Sequence, residues 1–93
     1  MNYTFDFENK GILITGAASG IGLEATRAFL QNKATVFMAD YNEKKLTEKA
    51  EELKKDFPDG EIFTFVCDIT DKEARTRLIS DVKATGRDVD VLH

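Results

Sequence analysis

The chain is poor in residues that cross-link, punctuate or bind metals: one cysteine, one proline, one histidine and no tryptophan in 93 residues. A lone Cys67 cannot close an internal disulfide, so a stapled secreted scaffold is excluded and a reducing, cytoplasmic setting is expected. A single His93 leaves no pair for a histidine-based metal site, and no metal is expected. No apolar run approaches the roughly 18 residues of a membrane span. Met1 to Lys10 carry Asp6 and Glu8 where a secretory leader would be basic, so none is expected. Basic charge is not in excess either: 13 Lys and Arg against 17 Asp and Glu leave −4. The basic residues alternate with acids at helical spacing, as from Glu43 to Lys55, which makes a solvated helix face. Nucleic acid, which needs clustered basic surface, is not an expected partner. The rest is ordinary: 42% hydrophobic and 32% charged residues exclude a disordered tail. The length fits one small domain spanning residues 1–93.

Apolar runs and helical periodicities alternate along the chain. Gly11-Ile12-Leu13-Ile14-Thr15 is short, β-rich and bounded by glycines, as expected of a strand buried on both faces. A small-residue loop from Gly16 to Gly20 follows, and then Ile21, Ala25, Ala28 and Phe29 recur at helical spacing. Thr35 to Ala39 reads as a second strand stopping at Asp40. Asn42 is a helix N-cap by type, and Leu46, Ala50, Leu53 and Phe57 then share one face until Pro58-Asp59-Gly60 turns the chain. Ile62 to Cys67 is a third strand, ending at Asp68. Thr70-Asp71-Lys72-Glu73 has the capping-box pattern, ahead of a helix that buries Ala74, Leu78, Ile79 and Val82 and stops near Gly86. Val89 to His93 opens a fourth strand. The order β-α-β-α-β-α-β predicts right-handed parallel crossovers, and so the first part of an α/β, doubly wound, Rossmann-type sheet with strand order 3-2-1-4.

In such a sheet ligands bind where the strand order reverses, and the loop after the first strand lies there. Gly16 permits the tight turn, Gly20 lets backbone approach a pyrophosphate, and Gly22 lets the helix pack close. The helix N-terminus offers free N–H groups and partial positive charge. By itself the loop is equally a plain strand-to-helix turn. Asp40 strengthens the ligand reading, because it closes the next strand at about the 20-residue offset of a ribose-binding acid. Without a ligand Asp40 is a strand-end or first-turn acid. A P-loop does not fit, since Leu23-Glu24 follow Gly22 where that motif needs Lys and Ser or Thr.

Thr15-Gly16-Ala17-Ala18-Ser19-Gly20-Ile21-Gly22 resembles the cofactor fingerprint of the short-chain dehydrogenase/reductase family. Asp68-Ile69 resembles that family's adenine-binding pair, and Val89 to Leu92 the strand that leads to its Asn-Asn-Ala-Gly motif. The resemblance runs from about Lys10 to His93. It implies that Ser19 and the Ile21 N–H sit against phosphate and ribose, that Asp40 accepts from the adenosine ribose hydroxyls, and that Tyr41 flanks the adenine. Asp68 would accept from the adenine amino group and Ile69 would touch the ring, although core packing explains Ile69 as well. A carboxylate at Asp40 repels a 2′-phosphate, and no Lys or Arg lies in Gly16 to Gly22 or at Tyr41 to offset it, so NAD(H) is expected over NADP(H).

The implied function is the NAD(H)-binding part of an oxidoreductase acting on an alcohol or carbonyl compound. The family's Asn, Ser, Tyr and Lys lie beyond the fourth strand, so the chain reads as part of a longer fold, inactive alone, and no residue is assigned to catalysis. Tyr41-Asn42-Glu43-Lys44-Lys45 matches Tyr-x-x-x-Lys, but Tyr41 would stand at the adenosine end, away from the chemistry. Cys67 reads as a small buried hydrophobe. Glu24 and Glu73 read as first-turn helix acids. A homo-oligomer is the expected assembly. Two alternatives stay open: a stand-alone nucleotide-binding or interaction module, and a methyltransferase with an adenosyl cofactor, whose glycine loop is normally tighter.

Overall fold

A computed structural model describes residues 10–93. The leader reading of the first residues, and the first nine residues of the expected domain, lie outside the described residues. Four strands and three helices alternate: β1 (Gly11–Thr15), α1 (Gly20–Gln31), β2 (Thr35–Asp40), α2 (Glu43–Asp56), β3 (Glu61–Val66), α3 (Lys72–Ala84) and β4 (Val91–Leu92). The sheet is parallel with order β3-β2-β1-β4, as the crossover rule requires.

β1 and β2 are the central strands and are buried almost throughout. Successive side chains point to opposite faces. Ile12, Ile14, Val36 and Met38 join Leu30 of α1 and Leu46, Ala50 and Leu53 of α2 on one face. Leu13, Phe37 and Ala39 join Leu78 and Val82 of α3 on the other. This is why both strands read as continuous apolar runs. α2 starts as expected: Asn42 Oδ1 accepts from Lys45 N–H at 3.1 Å. Gly86, at φ +79°, closes the C-terminus of α3 in the left-handed conformation that glycine adopts most readily.

Five local expectations are corrected. The inward face of α1 centres on Gly22, Thr26 and Leu30; of the expected stripe, Ala25 and Phe29 are partly buried against the same core, while Ile21 and Ala28 are exposed. Thr26 and Leu30 are buried, whereas Ile21 is 76% exposed. The helix turns its glycine to the seam because a Cβ on Gly22 would lie 2.2 Å from the Gly16 carbonyl oxygen. Thr26 tolerates burial because its hydroxyl donates to the Gly22 carbonyl at 2.8 Å. On α3, Ile79 is 46% exposed, since the face that meets the sheet runs through Ala74, Leu78 and Val82.

The N-cap of α3 is Asp71, whose carboxylate accepts from Glu73 N–H at 3.0 Å. Thr70 is drawn away to Asp68. β4 is only Val91–Leu92, although backbone bonds to β1 flank it on both sides. Asp90 N–H donates to the Gly11 carbonyl at 2.7 Å and His93 N–H to the Leu13 carbonyl at 2.8 Å, and Asp90 Oδ2 also accepts the Gly11 N–H at 2.8 Å. Glu24 also lies beyond the first turn of α1, which holds no acid.

Candidate functional site

The C-terminal ends of β1, β2 and β3 and the turns that follow them surround a cavity of about 420 Å³. It is lined by Thr15, Gly16, Ala39, Asp40, Tyr41, Cys67, Asp68, Ile69 and Thr70. Gly16, Asp40, Tyr41, Asp68 and Ile69 were singled out from the sequence, and the fold brings these five together. Ser19, Gly20, Ile21 and Gly22 are not in the lining. They form the adjoining turn into α1. Thr15, Ala39, Cys67 and Thr70 were not put forward as site residues. Thr15, Ala39 and Cys67 are at or just past strand ends, and that position was the available signal.

The glycine loop keeps its backbone accessible. Gly16 and Gly20 hold φ of +62° and +56°, and nothing lies within 4 Å of where a Cβ on either would stand. The first bond at the start of α1 runs from Leu23 N–H to the Ser19 carbonyl at 3.3 Å. The N–H groups of Gly20, Ile21 and Gly22 therefore precede it at the helix end. Ser19 is the N-cap but makes no side-chain capping bond, and the first turn holds no acid to neutralise the dipole. Two bonds tie the loop to the end of β2: Ala17 N–H donates to the Ala39 carbonyl at 3.1 Å, and Ala18 N–H donates to Asp40 Oδ2 at 3.0 Å.

The opposite wall is set by Asp68, whose Oδ1 accepts from Thr70 N–H at 3.0 Å and from the Thr70 hydroxyl at 2.6 Å. Those bonds, the hydroxyl first, hold the Asp68 carboxyl below its ordinary range. Arg75 donates to the Ile69 carbonyl at 2.7 Å and fixes the same turn. Thr70→Val removes the hydroxyl at equal volume, so the Asp68 pKa should rise toward the usual carboxylate value, as read by NMR titration of the side-chain carboxyl. The sign follows from the ionised form being the one stabilised. Asp68 favours the folded state above its unfolded pKa, and that contribution fades as pH falls through the lower folded value. An unmoved titration would mean that the hydroxyl bond is absent in solution.

Cys67 is buried as expected. Burial first, and the Asp68 charge second, push its thiol pKa up, so it stays protonated at neutral pH. Among the described residues no group of three or more His, Cys, Asp or Glu could hold a metal ion. Among the same residues no helix is long and apolar enough to cross a membrane.

The family model described as short chain dehydrogenase matches residues 10–93, which is all of the described chain. The chain belongs to the short-chain dehydrogenase family. It is 34% identical over 87 residues to a fatty acyl-CoA reductase of Mycobacterium tuberculosis, covering 94% of this chain and 29% of that protein. A short-chain oxidoreductase of Pseudomonas aeruginosa, solved with NADPH and having an atypical catalytic centre, superposes with a TM-score of 0.91. It is 25% identical, over 95% of this chain and 34% of that one. L-sorbose reductase of Gluconobacter frateurii, solved with NADPH and L-sorbose, shares the fold with a TM-score of 0.90 at 24% identity, over 97% of this chain and 34% of that one. The chain thus spans about a third of the length of these three proteins. The family binds nicotinamide dinucleotides, and the short-chain dehydrogenase loop described above suits one. Its two left-handed glycines leave open space, and its helix end carries unspent N–H groups.

Proposed function

We propose that this chain is the dinucleotide-binding part of an oxidoreductase that interconverts an alcohol and a carbonyl compound, with NAD(H) preferred to NADP(H). One observation carries the reading: Asp40 and Asp68, at or just past the ends of adjacent strands, line a single cavity together with Gly16, the first residue of the glycine turn. Bound there, a nicotinamide dinucleotide supplies hydride transfer. The chain's own residues bind and orient it. The turn from Gly16 to Gly22, with Ser19 and the Ile21 N–H, holds phosphate. Asp40 meets the adenosine ribose, while Tyr41, Asp68 and Ile69 hold the adenine. Tyr41 is 76% exposed on the Asp40 side of the cavity, which suits a face for adenine and not a proton donor to a substrate. The whole enzyme's substrate, its homo-oligomeric assembly and a cytoplasmic setting belong to the same proposal, as does treating residues 1–93 as part of one domain.

The preference for NAD(H) rests on this chain alone, because the two solved relatives above hold NADPH. Like charges about 4 Å apart cost on the order of 1–4 kcal/mol between water-like and surface dielectric. No Lys or Arg stands in the glycine turn or at Tyr41 to reverse that sign. Titrating the chain with NADH and with NADPH at equal salt should give at least about fivefold tighter NADH binding. Equal affinities, or tighter NADPH, would remove Asp40 as the selector, and binding of neither would sink the dinucleotide reading.

A further inference from the structure

Asp40 is the one buried charged side chain among the described residues, with 6% of its surface exposed. A buried carboxylate is costly unless its oxygens are satisfied. Among the described residues no ion pair involves it, and its partners are backbone N–H groups. Oδ2 accepts from Ala18 N–H and Oδ1 from Asn42 N–H, both at 3.0 Å, while the Asp40 carbonyl accepts from Cys67 N–H at 3.0 Å. One residue therefore fastens three segments that wall the cavity: the glycine loop, the entrance to α2 and the turn after β3. Ala18 is itself only 1% exposed, so without the carboxylate its N–H would be a buried donor with no acceptor in place.

We infer that Asp40 is a positioning residue for the glycine loop, holding it in its anion-ready shape before any dinucleotide arrives. This deepens the dinucleotide reading, and its cofactor consequence rests on that reading; its structural consequence concerns the protein alone. A residue that only selects the ribose would let NADPH bind better once its charge is removed. A residue that also anchors the loop would not, because losing the Ala18 bond loosens the phosphate site that both dinucleotides share.

Amide hydrogen exchange on the chain without dinucleotide tests the structural part. Ala18 N–H should exchange at least about tenfold more slowly than the exposed Ser19 N–H, the scale of one hydrogen bond to a charged group. In Asp40→Asn, where one amide oxygen must serve two N–H groups, Ala18 should exchange about tenfold faster while amides within β1 and β2 keep their protection. If Asp40→Asn fails to fold, the comparison of Ala18 with Ser19 in the unmodified chain decides alone. Ala18 exchanging as fast as Ser19, or unchanged in a folded Asp40→Asn, overturns the inference.

The affinity arm is independent. Asp40→Ala should bind NADH more weakly and NADPH no more tightly than the unmodified chain, and Asp40→Asn should recover part of the NADH affinity. NADPH binding rising above that of the unmodified chain leaves Asp40 a ribose selector only and overturns the positioning role. If the unmodified chain binds neither dinucleotide, the dinucleotide reading fails, and the exchange arm still decides this one.

Discussion

Gly22→Ala is expected to lower stability by about 1–3 kcal/mol, the usual range for forcing atoms into a filled space, and to weaken dinucleotide binding by about 100-fold. A Cβ at this position would stand 2.2 Å from the Gly16 oxygen, 2.8 Å from the Gly16 carbonyl carbon and 3.2 Å from Ala17 Cα. All three are backbone atoms, so no side chain can swing aside. Reaching the 3.4 Å of ordinary contact means separating α1 from its own loop by more than 1 Å. The loop cannot simply follow, because Ala17 and Ala18 are bonded to the end of β2. Alanine in a helix interior normally gains about 0.5–1 kcal/mol over glycine, too little to offset the clash.

Gly20→Ala is the informative contrast. Its φ of +56° strains any other residue by about 1–2 kcal/mol, but nothing lies within 4 Å of the added carbon. The loop bonds would survive that change, and the lost binding would come from a methyl group where phosphate approaches. Urea unfolding and NADH titration of both variants separate the cases. A Gly22→Ala protein with an unchanged midpoint and unchanged affinity would show that the seam is slack.

These two glycines also mark how far the sequence could be read. Spacing placed Gly16, Gly20 and Gly22 at a strand-to-helix turn, and burial on both faces made β1 and β2 stand out as apolar runs. α2 was legible because its apolar face and its Asn42 cap agree. The inward face of α1 was not, because its seam is made of backbone at Gly22 and of Thr26, a polar residue buried by virtue of a bond within its own helix. Periodicity counts apolar side chains and misses both. Thr70 has the type and spacing of a cap, but Asp68, two residues before it, offers its hydroxyl a charged acceptor, and the helix starts one residue later. Asp40 was placed by its offset from the loop. Its bonds to Ala18 and Asn42 depend on how the loop folds back over β2, which no spacing encodes.

Phe37→Ala should be the most damaging single change in the core, costing about 3–5 kcal/mol. Phe37 is fully buried at the middle of β2, with its ring stacked on Phe63 at 5.4 Å between centroids and tilted against Phe65 at 6.3 Å. On this face the sheet is covered by α3, through Leu78 and Val82, which share a cluster with Phe37. The opposite face is covered by both α1 and α2. A void under Phe37 therefore falls where, among the described residues, α3 is the one helix that holds the layer, and half-buried Phe63 can fill it only by losing its own stacking partner. Against a typical total of about 5–15 kcal/mol, the loss brings the chain close to its unfolding limit. The urea midpoint should fall sharply, and amides of α3 should lose protection before those of α2. Because α3 begins just after Asp68 and Thr70, its loosening reaches that wall of the cavity, and on the proposed function dinucleotide affinity should fall with it. A midpoint lowered by less than the equivalent of about 1 kcal/mol would mean that α3 is held by something other than the Phe37 cluster.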